Sequence, residues 1–185
     1  MALASLSMLA TTRQYINALA ERVRDALDLG GDDFPVDLIS YIPNMGGEFV
    51  RTDQAAESMI EKVGSDSFRV TVRRGLHRNR ERFSIAHELG HLFLHMGYCI
   101  DDQKWDAIDP GRDGPMLRFG YSDQEYEAHE FGAALLMPRD AFRVEVARHQ
   151  KDGALDLKPI AERFGVSVEA ARRRGQWLGM FYWGL

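Results

Sequence analysis

His87-Glu88-Leu89-Gly90-His91 carries more chemical information than any other stretch of this 185-residue chain. Residues four apart share a helix face, so the two imidazoles can grip one zinc ion. Glu88 then stands beside the open coordination position, where its carboxylate can take the proton of an attacking water. That is the chemistry of a zinc peptidase. The flanks support a helix: Phe83, Ala86, Leu89, Gly90, Phe93 and Leu94 recur at helical spacing, and Ser84 is a candidate cap. The plain alternative is a buried amphipathic helix with two incidental histidines.

A catalytic zinc keeps three protein ligands and leaves one position for water. The third is sought in Glu125-Tyr126-Glu127-Ala128-His129-Glu130-Phe131. Glu125 and His129 share a helix face there, so Glu125 can bind metal while His129 supports the site from outside. Glu127 is the nearest rival. His95 lies one further turn beyond His91 on a straight helix, a rise of roughly 6 Å, too far for the same tetrahedral site. It is read as structural or supporting, and His77 as solvated. The small residues Ala128, Gly132 and Ala133 let the two helices lie close.

Composition sets the bounds. A 45% hydrophobic, 28% charged chain of this length forms one globular core. Net charge is −5, which gives no general attraction for nucleic acid. Cys99 is the single cysteine, so no intrachain disulfide forms and a reducing compartment fits. It is read as a half-buried thiol. No run is apolar and long enough for a membrane span and the first ten residues lack a basic leader, so the expected location is cytoplasmic.

Along the chain, residues 13–29 read as a helix with the stripe Ile16, Leu19, Ala20, Val23, Ala26 and Leu27, stopped by Gly30-Gly31. A short helix follows from Val36 to Tyr41. Residues 47–51 and 67–73 carry strand character, with Phe68, Val70 and Val72 alternating with polar neighbours. Residues 98–122 read as a long loop, a rim or lid between the two halves of the site. Helices are expected from Ser122 to about Leu136 and on to about Gln150, then two short helices around Gly165-Val166-Ser167.

The blocks Arg82 to His95 and Glu125 to Pro138 together resemble the ImmA/IrrE metallopeptidase family, over roughly residues 60–180. The resemblance implies a small gluzincin-like α+β domain. It also implies zinc held by His87, His91 and Glu125. His129 occupies a position that is usually Asn, and Gly132 one that is more often Ala. By the same resemblance the activity is regulatory proteolysis of a transcriptional repressor or antitoxin-like partner, often of helix-turn-helix type and encoded nearby. The expected fold class is thus α+β: a mainly helical zinc-peptidase domain with a small β-sheet, residues 1–150, and a helix-turn-helix-like tail, residues 151–185, packed on or extending it.

Catalysis then needs Glu88 as proton acceptor and donor, and an electrophile drawn from Tyr121, Tyr126 and His129. The strand edges at 47–51 and 67–73 could seat an extended substrate. A second class of function comes from the tail. Ile160 to Arg174 reads as a helix-turn-helix whose Arg172, Arg173 and Arg174 could face phosphates, making a DNA-binding regulator. The acidic balance argues against autonomous DNA binding. Arg73, Arg74, Arg78, Arg80 and Arg82 read as a solvated loop or a docking surface for an acidic partner. A third reading is a peptidase-like protein that sequesters its partner without cutting it. Manganese or iron would also suit two histidines and a carboxylate.

Overall fold

A computed structural model describes residues 2–29, 33–55, 57–110, 122–151 and 153–181. The first helix, α1 (Ala2–Ala26), begins earlier than its apolar stripe suggests. Ile16, Leu19, Ala20 and Val23 are buried as expected, whereas Ala26 is exposed. α1 ends before Gly30-Gly31, which lie outside the described residues. The turn is made by Asp28 in a left-handed conformation (φ 51°) and by the Leu29 N–H donating to the Arg24 carbonyl. A single turn of helix, α2 (Leu38–Tyr41), leads through a 3-10 turn at Pro43–Met45 into the sheet.

Three strands make that sheet: β1 (Gly47–Thr52), β2 (Met59–Gly64) and β3 (Ser67–Arg73), in the order β1-β3-β2. β3 lies parallel to β1 and antiparallel to β2. Its Phe68, Val70 and Val72 are fully buried beneath the helices. β2 escapes a hydropathy reading because one of its inward positions is a lysine. Lys62 sets its ammonium over the Trp105 ring (4.6 Å) and donates it to the Trp105 carbonyl (2.8 Å). Because β3 is the central strand, both its edges are filled. The edges of the described sheet that could pair with an added strand are β1 and β2, which corrects the expectation that 67–73 offers one.

The motif helix α3 (Arg78–Gly90) starts six residues before Ser84, and His77 rather than Ser84 is its cap, accepting from the Asn79 N–H. A π-helical turn, His91–His95, continues it. Residues 98–110 are not all loop: α4 (Asp102–Asp106) is capped by Asp101 and buries Trp105. Residues 111–121 of the expected lid lie outside the described ones. Cys99 is exposed, not half-buried, because its own backbone turns left-handed there (φ 57°).

α5 (Ser122–Leu136) runs through the centre, packed against both α1 and α3. It is followed by α6 (Arg139–His149), the two-residue strands β4 (Gln150–Lys151) and β5 (Ala154–Leu155), and then α7 (Leu157–Phe164) and α8 (Val168–Trp177). The last two share the core with everything before them. Phe164 stacks on Phe142 of α6, and Ile160, Ala161, Val166 and Ala171 are buried.

Arg174 of α8 is 1% exposed and meets the fully buried Glu130 of α5 at 3.1 Å. It also donates to the Met137 carbonyl (3.0 Å). Burial pulls its pKa down to about 10, still well above neutrality. Asn17 of α1 donates to the same Glu130 oxygen (2.6 Å). Arg174 is therefore an anchor inside the protein and cannot face phosphates. Arg82 is likewise no solvated loop residue. It donates to the Val36 and Gly165 carbonyls, tying the α7–α8 turn to the motif helix.

Removing one partner of a buried ion pair leaves an uncompensated charge, at a cost of roughly 3–5 kcal/mol. Glu130→Ala is therefore expected to lower the urea unfolding midpoint sharply. Arg173→Ala, on the exposed face of α8, should change stability by no more than about 0.5 kcal/mol. Equal, mild effects from the two variants would show that the pair anchors nothing.

Candidate metal centre

The site exists because α3 and α5 come unusually close. A Cβ placed on Gly90 would meet the backbone of Ala128 at 2.9 Å, and one on Gly132 would meet the backbone of Ala86 and His87 at 3.1 Å. Gly90 has no room for a methyl group unless the helices separate, and at Gly132 the backbone would have to give by a few tenths of an ångström. Gly132 is thus part of the helix contact rather than an incidental change from alanine.

That approach carries Glu125 to the two motif histidines. Nε2 of His87 and Nε2 of His91 lie 3.1 Å apart. Glu125 places one carboxylate oxygen 3.2 Å from the first and the other 3.3 Å from the second. Three ligands of one tetrahedral zinc, each about 2.0–2.1 Å from the ion, stand about 3.3–3.4 Å from one another. The two ring nitrogens are close to that spacing, and one ligand atom from each of the three residues lies within 4.8 Å of the others, near enough to share an ion. Among the described residues these three form the group able to hold a metal.

Burial also puts the histidines in the protonation state that a ligand needs. Desolvation, reinforced by the neighbouring histidines, lowers His87 to about 3 and His91 to about 4. Both are neutral at physiological pH, with lone pairs available. Glu88 is buried, at 6% exposure.

The other residues singled out from the sequence separate clearly. His129 lies against the site, its ring 4.6 Å from that of His87, with Nδ1 3.2 Å from the Glu125 carbonyl. Tyr126 does not. Its hydroxyl accepts from Arg13 of α1, and its ring packs near Trp177. Tyr121 lies outside the described residues. His95 and Glu127 are joined to each other, His95 Nε2 to Glu127 Oε2 at 3.1 Å. His77 is exposed. A cavity of about 490 Å³ opens beside His129, walled by Phe83, Ala133, Ala170, Arg173 and Trp177. It was not legible in the sequence, since its walls come from three separate helices.

Two helices that converge two histidines and a carboxylate over a small sheet define a metallopeptidase-like domain. The chain belongs to the peptidase M78 family, described as the IrrE N-terminal-like domain, which it matches over residues 41–175. No curated protein matches the sequence. Among solved structures it is similar to a Mycobacterium tuberculosis transcriptional regulator, with a TM-score of 0.59 and 17% identity, over 88% of this chain and 46% of that one. At that identity the likeness is one of fold, and the chain spans about half the length of that relative. None of the described helices is long and apolar enough to cross a membrane.

Two outcomes are expected from this geometry. Gly90→Ala forces α5 away from α3, so it should weaken metal binding and lower the melting temperature together; wild-type values for both would mean the close approach is dispensable. The second concerns pH. Below about 6.5 the unfolded chain protonates its histidines while folded His87 and His91 stay neutral. The metal-free protein should therefore lose stability as pH falls from about 6.5 to about 4. In that window the double variant His87→Gln, His91→Gln should show a shallower slope of urea midpoint against pH. Parallel slopes would mean the two rings are not held neutral.

Proposed function

We propose that this chain is a zinc-dependent endopeptidase of regulatory proteolysis, acting on a transcriptional repressor or antitoxin-like partner of the helix-turn-helix kind. The observation that carries the reading is the meeting of His87 Nε2, His91 Nε2 and the Glu125 carboxylate at 3.1–3.3 Å. In this reading those three residues hold the ion, and zinc is preferred over manganese or iron for a tetrahedral set with two imidazoles. When bound, zinc supplies Lewis acidity, which acidifies a water and polarises a carbonyl at neutral pH.

Glu88 is the group that accepts the proton of the attacking water and returns it to the leaving amine. Between the two described candidates, His129 is the better placed to steady negative charge on the carbonyl oxygen, since Tyr126 is engaged by Arg13. The β1 or β2 edge would seat an extended segment. The cavity beside His129 would receive a flanking side chain, with Phe83 and Trp177 as apolar walls. Membership of a peptidase family supports the activity class. The repressor as target rests on the family resemblance of the two sequence blocks.

The competing reading, a DNA-binding regulator built on α7 and α8, has less support. Arg174 is buried, and Arg173 pairs with Glu169 at 2.9 Å on an acidic chain.

Metal analysis of purified wild type beside Glu125→Ala and Glu88→Gln tests the proposal. About one zinc per chain is expected in wild type and in Glu88→Gln, and a sharp loss in Glu125→Ala. Intact-mass analysis after co-expression with a candidate helix-turn-helix repressor should show cleavage by wild type and none by Glu88→Gln. Full-rate cleavage by Glu88→Gln would sink the mechanism. A metal-free wild type that binds duplex DNA in a salt-sensitive manner would favour the regulator, and a zinc-loaded wild type that binds the repressor uncut would favour sequestration.

A further inference from the structure

His91 and His95, four apart and so on one face, meet across a π-helical turn. The Met96 N–H donates to the His91 carbonyl five residues back (3.0 Å), which widens the turn. The Nδ1 of His95 lies 3.0 Å from His91 Nδ1, on the side of the ring away from His87 and Glu125. Its Nε2 lies 3.1 Å from Glu127 Oε2. The result is a continuous line from the Glu127 carboxylate, through both nitrogens of His95, to both nitrogens of His91, ending at Glu125 and His87.

Seen from Glu127 the line favours one proton order, against the pull of the Glu125 oxygen 3.3 Å from His91 Nε2. An ionised carboxylate only accepts, so His95 must present N–H at Nε2. A neutral imidazole has one N–H, so His95 Nδ1 then carries a lone pair. That lone pair accepts from His91 Nδ1, which must therefore hold the His91 proton. His91 Nε2 is left bare, pointing at the site. His87 is different: its Nδ1 is buried and makes no hydrogen bond among the described residues.

We propose that Glu127, acting through His95, sets the tautomer of His91, leaving Nε2 unprotonated and fixing the ring so that it can serve as a ligand. Glu127 and His95 are positioning residues. The consequence for metal affinity rests on the metal-site reading above; the proton order does not. The third histidine thus acts on a ligand from behind, and the glutamate that rivals Glu125 in sequence has a different task.

Long-range 1H–15N correlation of the metal-free protein near pH 7.5 tests the proton order. His91 is expected as the Nδ1–H tautomer and His95 as the Nε2–H tautomer. In Glu127→Ala both should move toward mixed populations, and Glu127→Gln, whose amide oxygen still accepts, should restore the wild-type pattern. Wild-type His91 protonated at Nε2 overturns the proposal, as do tautomers indifferent to Glu127→Ala. For the loaded protein, zinc affinity by chelator competition should fall 10- to 100-fold in Glu127→Ala. It should recover in Glu127→Gln, with the metal-free melting temperatures close to one another. Unchanged affinity in Glu127→Ala also overturns the positioning role. Failure of wild type to take up zinc would instead defeat the metal reading, and the tautomers would still decide this one.

Discussion

The contact between α3 and α5 is the constraint on which the rest of the structure depends. Two glycines, Gly90 and Gly132, let helix backbones meet where side chains would normally keep them apart. Glycine inside a helix costs about 0.5–1 kcal/mol relative to alanine. Here that cost is set against a geometry that larger residues could not produce. His87 and His91 belong to one helix and Glu125 to the other, so their mutual distances are the distance between the two backbones expressed at the side-chain tips.

Around this contact the protein arranges charge so that it stays where it is useful. The histidines are buried enough to remain neutral, which suits them to bind a cation and makes them poor carriers of charge themselves. The carboxylate that joins them, Glu125, remains partly exposed. Glu130 is ionic and wholly inside, but it is matched by Arg174 and by the Asn17 amide. The sheet contributes little chemistry. It provides a floor for α3 through Phe68, Val70 and Val72, and an open edge on each side.

Much of this was legible in the sequence, for reasons that also explain the gaps. The pairing of His87 with His91 and of Glu125 with His129 follows from residues four apart on helices, a periodicity that survives in any tertiary setting, whereas the preference for Glu125 over Glu127 rests on the resemblance of the two sequence blocks. The α+β class follows from strong patterns in α1, β3 and α5. β2 was hidden because Lys62 sits inward, its polar identity masking a buried stem. α4 is five residues long and stands in a stretch rich in glycine and proline. The roles of His95 and Glu127 depended on a contact between two helices, which no periodicity announces. Nor could the fate of Arg174 be read from a run of three arginines, since only the fold decides which of them turns inward.

Three of the carboxylates on α5 have separate engagements: Glu125 on the histidine pair, Glu127 on His95, and Glu130 on the C-terminal helix. They lie within six residues of one rigid rod, so a rotation or slide of that rod moves all three. The site and the docking of α8 therefore share one rigid element, and linkage between them would run through it. An ion that favours one setting of α5 also favours the docking of α8, and by reciprocity α8 contributes to the affinity for the ion by the same factor. A chain trimmed back to its motifs would keep every ligand and still lose part of what holds them in register.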